Sequence, residues 1–483
     1  MTTYVARPPA SPPVTGAPKI IHLVGIAGTG MGSFAGLLKA AGHVVRGSDD
    51  NVYPPMSDKL TAWGIPFLKG YKPENLDPAP DLVVIGNVIR KINPESIAVL
   101  ERGLPYTSFP RALGDLFLAN RHAVVVAGTH GKTTTTSLVA WLLASGGLDP
   151  GLLVGGVPLN FDEGFRVGKG PHFVVEGDEY DTAWFDKVPK FLHYRPQTAI
   201  ITSLELDHTD IYPDVEAIEL EFERLVDLVP AHGRVLACAT HPRVVPRTKR
   251  AKAPVETYSA RVDADWRASD IRQDERGAAF DVTFRGQKIG PFKAPFHGVY
   301  NVENAVAAIA VAHHAGLVAQ TIAAGLASFA GVARRQTVRA EINGVSIIDD
   351  FAHHPTAVKE TLSGLRARFG ARKLVAIFEP RSATSARNYF QAEYAEAFDD
   401  ADRVIIAGVG RPEIAESERL DIAKLARDIT ARGPAAENIA QVDDIVARLA
   451  STSQPGDVLV FMSNGGFGGI FAKIETALRT RAE

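Results

Sequence analysis

The residues with the clearest chemistry lie in one run, Gly128-Thr129-His130-Gly131-Lys132-Thr133-Thr134-Thr135-Thr136. An apolar stretch from His122 to Ala127 precedes it, and a helix-like apolar segment, Leu138 to Leu143, follows. That order reads as a strand, a glycine turn and a helix mouth, an arrangement that cradles phosphate. The backbone N–H groups from Gly128 to Lys132 are expected to face phosphate oxygens. Lys132 is expected to reach the β- and γ-phosphates of ATP, and the Thr133 hydroxyl to coordinate Mg²⁺. Val126 stands where the full P-loop pattern has its first glycine, so the loop is a short form. A lysine and four threonines are costly in a plain turn; the run reads as a nucleotide-phosphate site.

Two acid-bearing runs follow. Glu176-Gly-Asp178-Glu179-Tyr-Asp181 closes one apolar stretch, and Glu205-Leu-Asp207-His208-Thr-Asp210 closes another. Either alone fits a solvated strand end. Downstream of a phosphate loop the pair suits Mg²⁺, which takes one or two carboxylates with phosphate oxygens and waters. His208 is a softer donor that could complete a second ion's shell. Near the start, Gly25-Ile-Ala-Gly28-Thr29-Gly30-Met31-Gly32 makes a glycine-rich first turn, with Ser48-Asp49 after a second strand candidate, His43 to Arg46. This supports close backbone approach to a diphosphate, with Asp49 or Ser48 meeting a ribose or base; NAD and another nucleotide diphosphate both fit. Asn301 and Asn304 open an apolar helix, where they read either as adenine contacts or as caps.

The elements that must position these groups alternate strand and helix. The chain of 483 residues suggests about three domains at roughly 150 residues each. A first α/β unit is expected over 19–119, with strands at Ile20 to Val24, Asp81 to Ile85 and around Leu104 to Ser108, and with Asn87 just past a strand's carboxyl end. The unit holding the phosphate loop spans 120–333. After Arg334-Arg335 a fresh α/β pattern fills 334–483, with strands ending at Asp349-Asp350, at Glu379-Pro-Arg381-Ser382 and at Ser463. The fold class is therefore α/β in three domains: Rossmann-like, P-loop ATPase-like with a mostly parallel sheet, and Rossmann-like again. Charged stretches such as Glu416 to Arg432 read as solvated helix faces.

Composition narrows the partners. Hydrophobic residues make up 46% and charged residues 22%, which is ordinary for a globular protein, and the formal charge of −3 argues against nucleic acid. The single cysteine, Cys238, excludes an intrachain disulfide and suits a reducing, cytoplasmic setting. No apolar run approaches the ~20 residues of a membrane span. Residues 1–18 are Pro-rich and are expected to form a disordered tail.

Taken together, Gly128-Thr-His-Gly-Lys-Thr-Thr, Glu176-Gly-Asp-Glu-Tyr-Asp, Leu206-Asp-His-Thr-Asp, Asn301-x-x-Asn304-Ala and Asp350-Phe-Ala-His353-His354-Pro resemble the Mur ligase family. Those are ATP-dependent amide-forming enzymes of peptidoglycan synthesis. The resemblance implies UDP-N-acetylmuramate, ATP and a murein tripeptide as substrates, with free L-alanine as the alternative acceptor, Mg²⁺ as cofactor, and a monomer or weak homodimer. By the same resemblance Asn301 and Asn304 read adenine, Arg335 and Asp350 meet ATP phosphate and ribose, and His353 sits at the reacting centre. Thr133, Glu176 and His208 hold metal. Gly28, Thr29, Gly30, Met31, Ser48, Asp49 and Asn87 hold the UDP-sugar, and Arg381 and Ser382 the peptide. The chain departs from the family at Phe222, about where several members carry a carbamylated lysine, and at Tyr300, where a histidine commonly precedes the first Asn. Two other classes remain: an NAD-linked oxidoreductase reading the first glycine turn, and an ATP-gated binding protein with no dependence on a carboxylate substrate.

Overall fold

The computed structural model describes residues 4–411 and 413–481. Three parallel-rich sheets follow one another along the chain. In the first, the order across the sheet is Phe67–Lys69, Val44–Asp49, Ile20–Val24, Leu82–Ile85 and Tyr106–Ser108, all parallel. The order reverses between Ile20–Val24 and Leu82–Ile85, so the glycine turn after Val24 and the Gly86-Asn87 turn meet at one crevice. Open α/β sheets bind ligands at such a reversal, beyond the carboxyl ends of their strands.

The second sheet has ten strands, and six neighbours in it carry the site: Val255–Ser259, Arg234–Cys238, Thr198–Ile201, His122–Ala127, His172–Gly177 and Gly151–Leu153, all parallel. Trp266–Asp274 extends the parallel run, and the hairpin Gly277–Phe284 and Gln287–Ala294 closes that edge antiparallel. The six parallel strands are apolar because helices cover both faces. One face lies under the helices Lys132–Ser145 and Val299–His314, whose Leu138, Leu142, Val302 and Ile309 are fully buried or nearly so. The third sheet runs Thr337–Ile342, Val345–Asp350, Val458–Met462, Leu374–Phe378, Arg403–Ile406 and Ala435–Asn438, with only the first strand antiparallel.

Three expectations need correction. Residues 4–18 are not a loose tail: Tyr4 and Val14 pack on the core shared by the first and second sheets, and Ser11 is buried. Residues 1–3 lie outside the described residues. The second strand runs to Asp49, so Gly47-Ser48-Asp49 belongs to the strand and not to the turn after it. The stretch Glu416 to Arg432 is a short 3₁₀ turn, Glu416–Glu418, followed by the helix Ile422–Arg432, because Asp421 caps a new helix through Lys424 N–H.

Phe34 holds the first sheet's helix to the common core. It is fully buried and its ring lies 5.0 Å from Phe109 and 6.2 Å from Phe117. Phe34→Ala should cost about 3–5 kcal/mol, the usual range for an aromatic truncated in a packed core. Urea unfolding followed by fluorescence checks this; an unchanged midpoint would contradict the packing.

Candidate active site

The phosphate loop joins the strand His122–Ala127 to the helix Lys132–Ser145. Gly131 takes φ +80, a left-handed conformation that favours glycine, and a Cβ there would stand 2.7 Å from Asn304 Oδ1. Parallel register sets Val126 opposite Glu176 and Ala127 opposite Ile201, so two acid-bearing loops emerge beside the phosphate loop.

Lys132 opens the helix. Its Nζ donates to both oxygens of Glu179 at 2.9 Å and to the Gly128 carbonyl at 2.7 Å. Burial works against its charge, but Glu179, Asp178 and Glu176 outweigh it and hold the ammonium above the usual lysine range. Glu179 also meets His208 Nε2 at 3.1 Å. Burial lowers the His208 pKa, Asp207 and Glu179 raise it, and the net is about 8. His208 has φ +53, and its ring lies 4.0 Å from that of Tyr180, tilted by 49°. Tyr212 Oη donates to the Glu179 carbonyl at 2.7 Å, fixing that loop from below.

A second group is built on the next residue, Thr133. Thr133 Oγ1 donates to Glu176 Oε1 at 2.9 Å, Gly155 N–H donates to Glu176 Oε2 at 2.8 Å, and Arg335 Nη2 donates to Thr133 Oγ1 at 3.3 Å. Thr133 and Glu176 offer hard oxygen donors, the set that Mg²⁺ prefers. Space is kept around them: a Cβ on Gly156 would stand 2.7 Å from Thr133 Cγ2. The residues fit the metal that the acid-bearing loops imply.

Several expected contacts resolve differently. Thr129 N–H donates to Ser203 O and His130 N–H to Ser203 Oγ, so these two amides are spent inside the protein. The amides of the helix's first turn, Lys132 to Thr134, have no intrahelical acceptor. The His130 side chain turns away to Glu205, 2.7 Å from Oε2. Among the described residues, the His/Asp/Glu groups with three ligand atoms close together are Asp178–Glu179–His208 and His130–Glu205–His354. His208 therefore clusters with Glu179, where Glu176 was expected. Glu179, Glu205 and His354 are the residues that the reading of single motifs passed over; their signal was the acidic runs themselves and the doubled histidine.

The adenine candidates are satisfied within the protein. Asn301 donates to His297 O, Asn304 Nδ2 donates to Asn301 Oδ1, and Thr135 donates to Asn304 Oδ1. Tyr300, in place of the expected histidine, accepts from Gln336 Nε2 at 2.9 Å. Asp350 is buried, and its oxygens accept from Gln336 N, Ala352 N and Thr361 Oγ1. Burial raises its pKa, with Arg335 opposing. His353 Nδ1 lies 3.0 Å from Phe351 O two residues back, and burial lowers its pKa, with Asp207 opposing. Phe222 is fully buried, 5.6 Å from the Phe191 ring, and Lys190 donates to Asp178 at 2.6 Å.

In the first sheet the glycine turn stands as expected, with Gly28 at the N-terminus of the helix Thr29–Ala40. Gly30 follows in its first turn, and Asn87 is half-buried across the crevice. Ser48 is fully buried and its hydroxyl donates to Glu95 at 2.7 Å, so it does not meet a ligand. Asp49 accepts from Ala27 N–H and shapes the turn. The Met31 side chain lies in the core. In the third sheet, Ser463 donates to Glu379, and Gly465 leaves room for Arg381: a Cβ there would stand 2.6 Å from Arg381 Cδ. The Arg381 side chain is half exposed. Ser382 Oγ donates to Ser385 Oγ at 2.8 Å, turning the loop after Arg381.

Comparison with known proteins follows the same three sheets. Residues 20–121 match the catalytic domain of the Mur ligase family, 126–312 the Mur ligase middle domain, and 333–465 the Mur ligase glutamate ligase domain. The chain is 40% identical over 464 residues to the UDP-N-acetylmuramate–L-alanyl-γ-D-glutamyl-meso-2,6-diaminoheptandioate ligase of Escherichia coli (strain K12), covering 96% of this chain and 99% of that one. It is 36% identical to the UDP-N-acetylmuramate–L-alanine ligase of Rhizobium etli, covering 92% and 94%. A crystal structure of a murein peptide ligase from Psychrobacter arcticus superposes with a TM-score of 0.71 at 38% identity, over 95% of this chain and 99% of that one. The UDP-N-acetylmuramate–alanine ligase of Thermotoga maritima shares the fold, with a TM-score of 0.78 at 22% identity over 96% and 100%.

His354 yields a pH prediction. It is buried, and its pKa is pushed from 6.5 down to about 3 by burial first and then by the neighbouring His130. The unfolded chain takes up this proton near the usual value while the folded chain does not, so its contribution to stability is lost as pH falls through that window. In His354→Gln the urea midpoint should fall less than in the wild type between about pH 7 and about pH 5. Equal slopes would show that His354 is protonated without cost.

Proposed function

The chain belongs to the Mur ligase family, whose members are ATP-dependent ligases that form amide bonds, and from that premise we propose that it joins the lactyl carboxylate of UDP-N-acetylmuramate to the amine of L-alanyl-γ-D-glutamyl-meso-diaminopimelate, a murein tripeptide salvaged for reuse. The observation that carries the chemistry is Thr133 Oγ1 meeting both the Glu176 carboxylate and the Arg335 guanidinium at the helix mouth. The choice of the tripeptide rests on the end-to-end likeness to relatives named for it.

A carboxylate does not condense with an amine at neutral pH, because its oxygen is a poor leaving group. A carboxylate oxygen attacks the γ-phosphorus of ATP, releasing ADP and leaving an acyl phosphate. The tripeptide amine attacks the acyl carbon, loses a proton, and expels phosphate with that same oxygen. Phosphoryl transfer needs positioning and charge neutralisation more than covalent help. The first-turn amides of Lys132, Thr133 and Thr134 receive phosphate oxygens, with Gly128, Thr129, His130 and Gly131 shaping the loop. Lys132 exchanges Glu179 for the transferring phosphoryl group. Arg335 adds a second cation from the third domain. Thr133 and Glu176 would hold Mg²⁺, with His208 and Glu179 beside it. That ion would supply Lewis-acid neutralisation of the phosphate oxygens. Asn301 and Asn304, engaged with His297 O, each other and Thr135, shape the base of the loop. Gly28, Thr29, Gly30 and Asn87 would receive the UDP group, and Arg381 a peptide carboxylate as a bidentate fork. We assign domain limits of 19–119, 120–333 and 334–483 to these three tasks, and a cytoplasmic site of action, where UDP-sugars and ATP are available.

Phosphate release measured with ATP and UDP-N-acetylmuramate should be fast with the tripeptide and slow with L-alanine. The reverse preference would assign the alanine-adding reaction. Lys132→Ala should lower release by about 10²–10³-fold or more with either acceptor.

A further inference from the structure

We propose that residues 4–14 are a positioning segment for the carboxylate donor: they strap the first sheet to the second and so set how the UDP-sugar meets the phosphate loop. The inference rests on the function proposed above. It begins from Asp186, which is fully buried beyond the acid-bearing loop of the second domain. Its carboxylate accepts from Ala10 N–H at 3.0 Å, from Ser11 N–H at 2.9 Å and from the Ser11 hydroxyl, and it lies 2.8 Å from His193 Nε2. Without this segment a buried carboxylate would lose three of its partners, which costs free energy.

The same few residues also grip the first sheet. Ser11 Oγ lies 2.7 Å from Ser108 Oγ, Thr107 donates to the Pro12 carbonyl, and Val14 N–H donates to Asp115 at 3.0 Å. Ser108 and Thr107 end the last strand of the first sheet. Asp115 meanwhile takes Arg195 of the second domain on its other oxygen at 2.6 Å. Upstream, Tyr4 donates to Glu221 at 2.9 Å, and Arg224 donates to the Arg7 carbonyl at 2.6 Å. The Tyr4 ring lies 5.6 Å from Tyr212, whose hydroxyl supports the Glu179 loop. The segment thus ends against the residue that holds the loop facing Lys132.

Geometry makes this matter for rate. The sugar is bound on one sheet and the phosphoryl donor on another, so their mutual orientation is a catalytic variable, and misplacement by about 1 Å can cost about 100-fold. ATP, by contrast, meets residues of the second and third domains, which the segment does not join.

The test compares the full chain with a chain lacking residues 2–14 and with the full-length double variant Ser11→Ala/Thr107→Val, which loosens the strap from both sheets and leaves Tyr4 on Tyr212. The readouts are KM for UDP-N-acetylmuramate, KM for ATP, kcat and circular dichroism. kcat/KM for UDP-N-acetylmuramate should fall about tenfold in the truncated chain, and in the same direction in the double variant, chiefly through kcat, while in the double variant KM for ATP stays within about twofold. A synthetic peptide of residues 1–18 added in trans should restore part of the loss. Unchanged kinetics in both variants would overturn the proposal. So would a KM for ATP that rises in step in the double variant, which would mark the segment as merely structural; that variant decides the matter if the truncated chain does not fold. If the wild type itself releases no phosphate with UDP-N-acetylmuramate, the proposed function fails first and separately.

Discussion

A lysine ammonium largely withdrawn from water beside three carboxylates at the head of one helix is the interaction on which the rest of the arrangement depends. Taking that charge out of water is expensive, and the cost is met only while an anion lies against it. Here the anion is Glu179, held on both oxygens. The exposed amides of the helix's first turn add a positive field of the same sense. The site is therefore built around a place that must hold negative charge. On the proposed function triphosphate would take over what Glu179 supplies, and that carboxylate already has a second partner in His208, 3.1 Å away.

Parallel β-topology makes this possible. A strand that ends at Ala127 leaves its loop beside the ends of two neighbours, so acids far apart in sequence arrive together. Glu176 comes from one neighbour and Ser203 to His208 from the other. The third sheet contributes across the gap through Arg335 on Thr133, Thr356 on Glu205 and Thr384 on Asp207. Each of these bonds ties the third sheet's unit to the helix or loops that follow the second sheet's central strands. Gln336 on Tyr300 extends the same seam on the helix Val299–His314.

Much of this was legible in the chain because it is local. Strand, glycine turn and helix follow one another within about twenty residues, and both the periodicity and the strand-end acids are written in order. What stayed hidden was the partner of each polar group. Ser48 ends a strand at a binding crevice, yet its hydroxyl is consumed by Glu95, 47 residues away. Thr129 and His130 lie in the phosphate loop, yet Ser203 takes their amides. Asp350 ends its strand like the other acids, yet it is buried and takes Thr361 and two backbone amides. The first eighteen residues carry the composition of a tail, but their backbone groups and one serine find a buried carboxylate, which no compositional measure registers. Local pattern locates a strand's end; only tertiary pairing decides whether the group there is free.

The account's central claim is that the sugar's carboxylate takes a phosphoryl group from ATP at the mouth of the helix Lys132–Ser145. Isotope transfer tests it most directly. UDP-N-acetylmuramate labelled with ¹⁸O in its lactyl carboxylate is turned over with ATP and the tripeptide, and the released phosphate is examined by mass spectrometry. The account predicts one labelled oxygen in each phosphate formed from doubly labelled carboxylate, because the oxygen that attacked phosphorus departs with it. Unlabelled phosphate accompanying amide product would contradict it.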